Sequence, residues 1–193
     1  MRAFTAAWLL LFAGPAAAQD ISATIIEHGI YTAETVRTEK LPNGFSSNIV
    51  RNICHVATTE DIPAKLGVQF GYRYRLDGPQ ENAAVILTRV TRFPAPMKPP
   101  GGAAAQSVSE HNIQMRVGTV SYVGFGFDHD WEMMRGRWAL ELWQGRKMLA
   151  RQAFDIGDGE LPADRPRQRG QTGDNCFELS VSLPGFMRTG GLP

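Results

Sequence analysis

Asp128-His129-Asp130, followed by Glu132, is the densest group of potential metal ligands in the chain. Carboxylate and imidazole together would suit a transition metal. The spacing works against it. Neighbouring side chains on an extended backbone point to opposite faces, so three in a row converge only where the chain turns. Asp-rich bends mostly serve as turns between strands, and this one is read as a turn with no metal. His28, His55 and His111 are scattered along the chain, without the H-E-x-x-H spacing of a zinc site. No G-x-S-x-G elbow and no local serine–histidine pair offers a nucleophile, although a triad can be assembled in space from distant residues. Gly124 and Gly126 lie inside a strand pattern with no helix after it. They suit close packing against an aromatic ring better than a phosphate cradle. The residue patterns therefore assign no catalytic residue, cofactor or metal.

Three tryptophans share this part of the chain and read differently. Trp138 falls in phase with Leu140 and Leu142, on a core-facing side. Trp131 belongs to the polar bend. Trp143 has the opposite parity, with Arg137 and Glu141, beside the Gln144-Gly145 turn. It could anchor a partner or stack on a sugar, or it could pack under the Pro-rich loop that follows Phe93. The candidate recognition surface is Asp128, His129, Asp130, Trp131 and Trp143.

The elements that must position these residues are strands. Ser121 to Ile156 reads as three strands with two turns, its apolar residues recurring with period two. Alternation is clearest from Leu66 to Leu76, where Val68, Phe70, Tyr72, Tyr74 and Leu76 share one face. Arg73 and Arg75 on the other face read as solvent-facing. Asp77-Gly78-Pro79 is a turn, and Ala84 to Phe93 reads as a return strand, the pair forming a hairpin. Near the start, apolar parity shifts between Ile25 and Ile26, the mark of a bulge or of a strand changing sheets. Leu41-Pro42-Asn43-Gly44 is a turn, and Ile49 to Ala57 a strand. Thr58 to Lys65 is a polar connection. Phe93 to Gly102, with four prolines, cannot sit inside a sheet, and with Ala103 to Asn112 it reads as one long loop. The class is all-β: an antiparallel sandwich of about seven to nine strands, immunoglobulin-like in architecture.

Arg2, the apolar run Ala3 to Gly14, Pro15 and Ala16-Ala17-Ala18 compose a cleavable export signal over residues 1–18. The run is too short to span a bilayer. Residues 19–156 form the sandwich, 157–174 a polar linker, and 175–193 a C-terminal segment ending the chain with a possible short strand. A periplasmic or secreted protein is expected. Of 20 Lys and Arg only Arg2 lies in the signal, against 19 Asp and Glu, so the mature charge is near zero. That excludes a basic nucleic-acid surface. Arg165, Arg167 and Arg169 lack interleaved aromatics and read as solvated linker. In an oxidising compartment Cys54 and Cys176 are expected to pair, tethering the C-terminal segment; two separate thiols are the alternative.

An ordered set of short motifs adds a likeness. G-I-Y at Gly29, I-P-A-K-L-G-V-Q-F-G at Ile62, L-D-G-P at Leu76 and the Pro-rich loop come first. F-D-x-x-W-E at Phe127, G-x-W at Gly136 and G-R-K-M-L-A-R-Q-A-F at Gly145 follow. Over residues 28–156 the chain resembles the bacterial Domain of Unknown Function 3859 family. The resemblance implies export, an immunoglobulin-like fold and no assigned activity. The reading is a non-enzymatic module for a protein or envelope ligand, bound through loops or an edge strand. Two alternatives stand beside it. One is a metal-dependent or hydrolytic enzyme, which stoichiometric metal lost with His129→Ala would favour. The other is a self-assembling envelope protein, which concentration-dependent mass would reveal.

Overall fold

The period-two segments become strands of two five-stranded sheets packed face to face. The computed structural model describes residues 20–40, 46–101, 104–161 and 176–177. The strands are β1 (Ser22–Lys40), β2 (Ser46–Ala57), β3 (Asp61–Pro63), β4 (Gln69–Asp77), β5 (Ala84–Met97), β6 (Gln106–Arg116), β7 (Val120–Gly126), β8 (Gly136–Gln144), β9 (Lys147–Gly157) and β10 (Cys176–Phe177). The first sheet runs β10-β2-β1-β4-β7 and the second β3-β9-β8-β5-β6. Every pairing is antiparallel except β3 with β9. Eight strands have seven or more residues; β3 and β10 are short. Among the described residues the only helical element is a 3-10 turn, Asp130–Glu132, and no helix is long and apolar enough to cross a membrane.

Local periodicity names the buried face of a strand correctly and its neighbour poorly. β4 and β5 are not a hairpin: β4 lies between β1 and β7, and β5 between β8 and β6. The chain crosses between sheets after Asp77, so the apolar faces of β4 and β5 meet through the core rather than side by side. The return crossing, Val117 to Thr119, is bonded to the first: Leu76 N donates to Thr119 O at 3.0 Å and Val117 N to Ala83 O at 3.0 Å. The Ser121–Ile156 stretch divides in the same way. β7 belongs to the first sheet and β8–β9 to the second, with the 3-10 turn carrying the chain across.

Four further expectations are corrected. Ala103 to Asn112 is mostly strand β6, whose pattern is concealed because polar Ser109 and His111 occupy inward positions. β5 runs on through Pro94 and Pro96. Its ladder to β8 ends at Arg92 and its register with β6 jumps from Arg92 to Met97, so neither proline is asked for an amide hydrogen. Phe93 and Met97 close that end of the core. Asp61–Pro63, inside the supposed polar connection, pairs in parallel with β9 and buries Ile62. Finally, β8 is buried on both faces, Ala139 and Glu141 included, because it is a central strand. The parity shift in β1 is a bulge between Ile25 and Glu27, with Ile26 left exposed.

Trp138 is the hub of the core. It is fully buried and meets Phe70 (5.9 Å between centroids), Phe93 (4.9 Å) and Phe127 (5.9 Å) edge to face. Its indole N–H donates to Met134 O at 2.8 Å. Complete burial of each such apolar side chain contributes about 1.5–3 kcal/mol. A smaller cluster of Tyr31, Ile53 and Tyr122 lies on the outer side of the first sheet. The expected signal (residues 1–18) lies outside the described residues. So do the Leu41–Gly44 turn, most of the linker including Arg165, Arg167 and Arg169, and the terminal segment apart from Cys176 and Phe177.

Candidate functional site

The bend after β7 is built by a carboxylate. Phe127 N donates to Val68 O at 3.0 Å and Gly67 N to Phe127 O at 2.8 Å, which pins the strand end. One oxygen of Glu132 then accepts the amides of Asp128 (2.7 Å) and His129 (2.8 Å). Glu132 is 3% exposed. Burial pushes its carboxyl above the ordinary range, against the pull of the two amides. Asp128, His129 and Asp130 are left on the surface. The His129 ring stacks nearly parallel on Trp131, centroids 5.9 Å apart, and Trp131 is itself partly buried against the core. Asn48 Nδ2 donates to Asp128 Oδ2 at 2.6 Å, tying the bend to β2. The result is a fixed rim offering two carboxylates and a stacked aromatic pair. Among the described residues no three His, Cys, Asp or Glu side chains gather as metal ligands.

Trp143 is at the other end of the sandwich. Phe127 sits by Val68, at the start of β4, whereas Lys147 after β8 bonds Ile21 O at 2.9 Å, beside the end of β4. The residues of the expected recognition surface are therefore not one surface. Nor does Trp143 lie under the Pro-rich segment, which meets β8 at Gly136 through Pro94. It is half-buried, and its Nε1 donates to Glu141 at 2.9 Å. Arg92 Nε donates to the same carboxylate at 2.9 Å, and Arg151 Nε stands 3.3 Å from it. Burial alone would raise the Glu141 carboxyl; the bonds from Arg92 and Trp143 outweigh it and hold it below the ordinary range.

Cys54 and Cys176 are joined as a disulfide, directly opposite one another in the β2–β10 ladder. Cys176 and Phe177 are thereby laid along the edge of the first sheet.

The family's sequence pattern matches residues 19–156, from the first residue of the expected mature chain to Ile156 in β9. The chain belongs to the Domain of unknown function (DUF3859) family. This DUF3859 domain is similar in structure to an immunoglobulin-like protein from Pseudomonas aeruginosa, 25% identical, with a TM-score of 0.51 over 72% of this chain and 97% of that one. Weaker likenesses are to a β-glucosidase from Listeria innocua (6% identical, TM-score 0.37, 72% of this chain, 16% of that one) and to a GH3 β-glucosidase from Bifidobacterium adolescentis (12%, 0.29, 77%, 19%). These last two are too slight to bear on activity. No curated protein matches the sequence. The DUF3859 domain is an immunoglobulin-like sandwich of unknown function.

One cluster on this domain escapes sequence reading. Arg73, expected to face solvent, is only 19% exposed in its side chain, with Nε 3.2 Å from Glu27. His55 Nδ1 lies 4.0 Å from the same Glu27, and its Nε2 meets His28 O at 3.1 Å. Tyr31 packs edge-on between His55 and Tyr122. The only hint in the sequence is the β1 bulge, which moves Glu27 into register with Arg73.

Proposed function

We propose that this DUF3859 domain is an exported, non-enzymatic binding module that recognises a protein or another envelope ligand through the Asp128–Trp131 rim. The Glu132 clamp carries the reading. A bend held by two amide bonds to a buried carboxylate presents Asp128, His129, Asp130 and Trp131 in one conformation. Pre-ordering of that kind lowers the entropic cost of association. The Cys54–Cys176 bond supports the export half, since disulfides persist in oxidising compartments.

The test is expression of the full chain with a photoreactive group at His129, followed by periplasmic fractionation, crosslinking and mass spectrometry. Mature protein beginning at Gln19 is expected in the periplasmic fraction. A crosslinked partner whose yield falls with Trp131→Ala is expected at the rim. Retention in the cytosol would remove the export half. An adduct pattern indifferent to Trp131→Ala would remove the rim as the recognition surface.

A further inference from the structure

The inner face of the second sheet is apolar over most of its area and turns polar toward the β5–β6 side, where Thr91, Ser109 and His111 accompany one arginine. Arg89 on β5 points into the sandwich, directly opposite His111 on β6 and alongside Leu142 on β8. Leu87, Phe93, Ile113, Leu140 and Leu142 around it are all core residues. From the first sheet Tyr72 and Tyr74, both 0% exposed, act on it, and buried Ser121 lies opposite Tyr74 in the β4–β7 ladder. The whole side chain of Arg89 is half-buried, but its Nε is fully enclosed.

The hydrogen-bonding of this group is incomplete. Arg89 Nε and the hydroxyls of Tyr72 and Tyr74 are buried, and none has a hydrogen-bond partner among the described residues. Tyr74 leans toward Ser121, its register partner on β7, without reaching hydrogen-bond geometry. The guanidinium acts electrostatically on Tyr74, Tyr72 and Tyr122, and Glu141 reaches the group only through its effect on Tyr72. The nearest acidic side chains on these strands, Glu110 and Glu141, have the opposite parity and turn outward, where both act on Arg92. His111 is pushed toward its neutral form by burial, so it neither balances nor shares the charge. Buried polar groups are nearly always bonded, so an enclosed guanidinium Nε and two enclosed hydroxyls without partners are an unusual grouping.

We infer that Arg89, with the hydroxyls of Tyr72 and Tyr74, forms an intersheet site for a small carboxylate. All three groups donate, so they suit a shared acceptor. One guanidinium and two neutral hydroxyls match a single negative charge, which favours a monocarboxylate over a phosphate dianion. Access is from the side where β6 and β7 are the last strands of their sheets among the described residues. His111, half-buried on β6, stands at that opening.

The experiment uses the full mature chain and sodium acetate, with sodium chloride and inorganic phosphate as comparison salts at constant ionic strength. The Arg89 Nε–H resonance and the midpoint of thermal unfolding are followed together. Acetate is expected to shift both saturably, while chloride and phosphate do not. The double variant Tyr72→Phe/Tyr74→Phe, which keeps the core volume, is expected to weaken acetate binding roughly tenfold or more, as loss of hydrogen bonds to a charged group requires. Arg89→Met is expected to abolish it. Arg89→Met also changes packing between the sheets, so the conservative double variant decides the matter alone. Absence of saturation, equal responses to all three salts, or unchanged acetate binding in the double variant each overturns the site.

Discussion

The indole nitrogen of Trp143 donates to the carboxylate of Glu141 at 2.9 Å, although the two residues are only two apart on β8. They share the outer face of the second sheet, and Arg92 and Arg151 complete the enclosure of the carboxylate.

Glu141 and Glu132 should therefore give opposite pH slopes. Burial is the largest influence on both and by itself raises a carboxyl. At Glu141 the arginine and indole bonds win, so the folded pKa lies below the unfolded value of about 4.3. Its stabilisation is present above that value and is lost as pH falls through the folded pKa. At Glu132 the folded pKa is raised, so its contribution is complete below about pH 4.3 and is lost as pH rises through the folded value. Urea unfolding between pH 3 and 7 should show Glu141→Gln losing stability relative to wild type as pH rises, and Glu132→Gln gaining. Parallel curves would sink the assignment.

The aromatic hub predicts a large effect. Trp138→Ala should lower stability by about 3–5 kcal/mol through cavity formation, and should also leave Met134 O without its donor. Trp138→Phe should cost clearly less. A loss below about 1 kcal/mol in chemical denaturation of Trp138→Ala would contradict its central position.

Two glycines separate side-chain from backbone crowding. Tyr122 lies across Gly124 and Gly71, its hydroxyl donating to Phe70 O at 3.1 Å. A Cβ at Gly124 meets only the Tyr122 ring among its nearest atoms, whereas one at Gly71 also meets the Val123 carbonyl and Gly124 Cα. Gly124→Ala should cost about 1–3 kcal/mol, and that penalty should largely vanish in a Tyr122→Ala background. The Gly71→Ala penalty should persist there. A double-mutant cycle showing equal rescue at both positions would refute the distinction.

The tether gives a fourth outcome. Cys54 and Cys176 are 122 residues apart in sequence, so the chain-entropy treatment assigns their bond about 5 kcal/mol of stabilisation. The Cys54→Ser/Cys176→Ser protein should unfold at correspondingly lower denaturant. The denatured, unreduced wild-type chain should show no titratable thiol; two per chain would rule the bond out.

Sequence by itself determined the class of fold and the buried face of most strands. The run from Val68 to Leu76, the parity shift at Ile26, the core phase of Trp138 and the packing of Gly124 against an aromatic ring were legible, because side-chain direction in a strand is a local property; Gly126, read the same way, meets Gln69 instead. The pairing of Cys54 with Cys176 was expected because they are the chain's two cysteines, read together with an expected oxidising compartment. The Asp128–Trp131 bend was also legible, but its clamp by Glu132 was not.

Tertiary structure alone decided which strand lies beside which. The ladders joining β4 to β1 and β7, and β5 to β6 and β8, depend on contacts distant in sequence that leave no local trace. β6 was hidden because inward Ser109 and His111 imitate a polar loop. Arg73 read as solvent-facing and Glu141 as part of a polar strand face, but neighbouring strands cover both; Arg89 carried no local signal at all. A charged residue's environment is set by what packs against it, and here that comes from other strands: Arg92 and Arg151 for Glu141, Glu27 for Arg73, and Tyr72 and Tyr74 for Arg89.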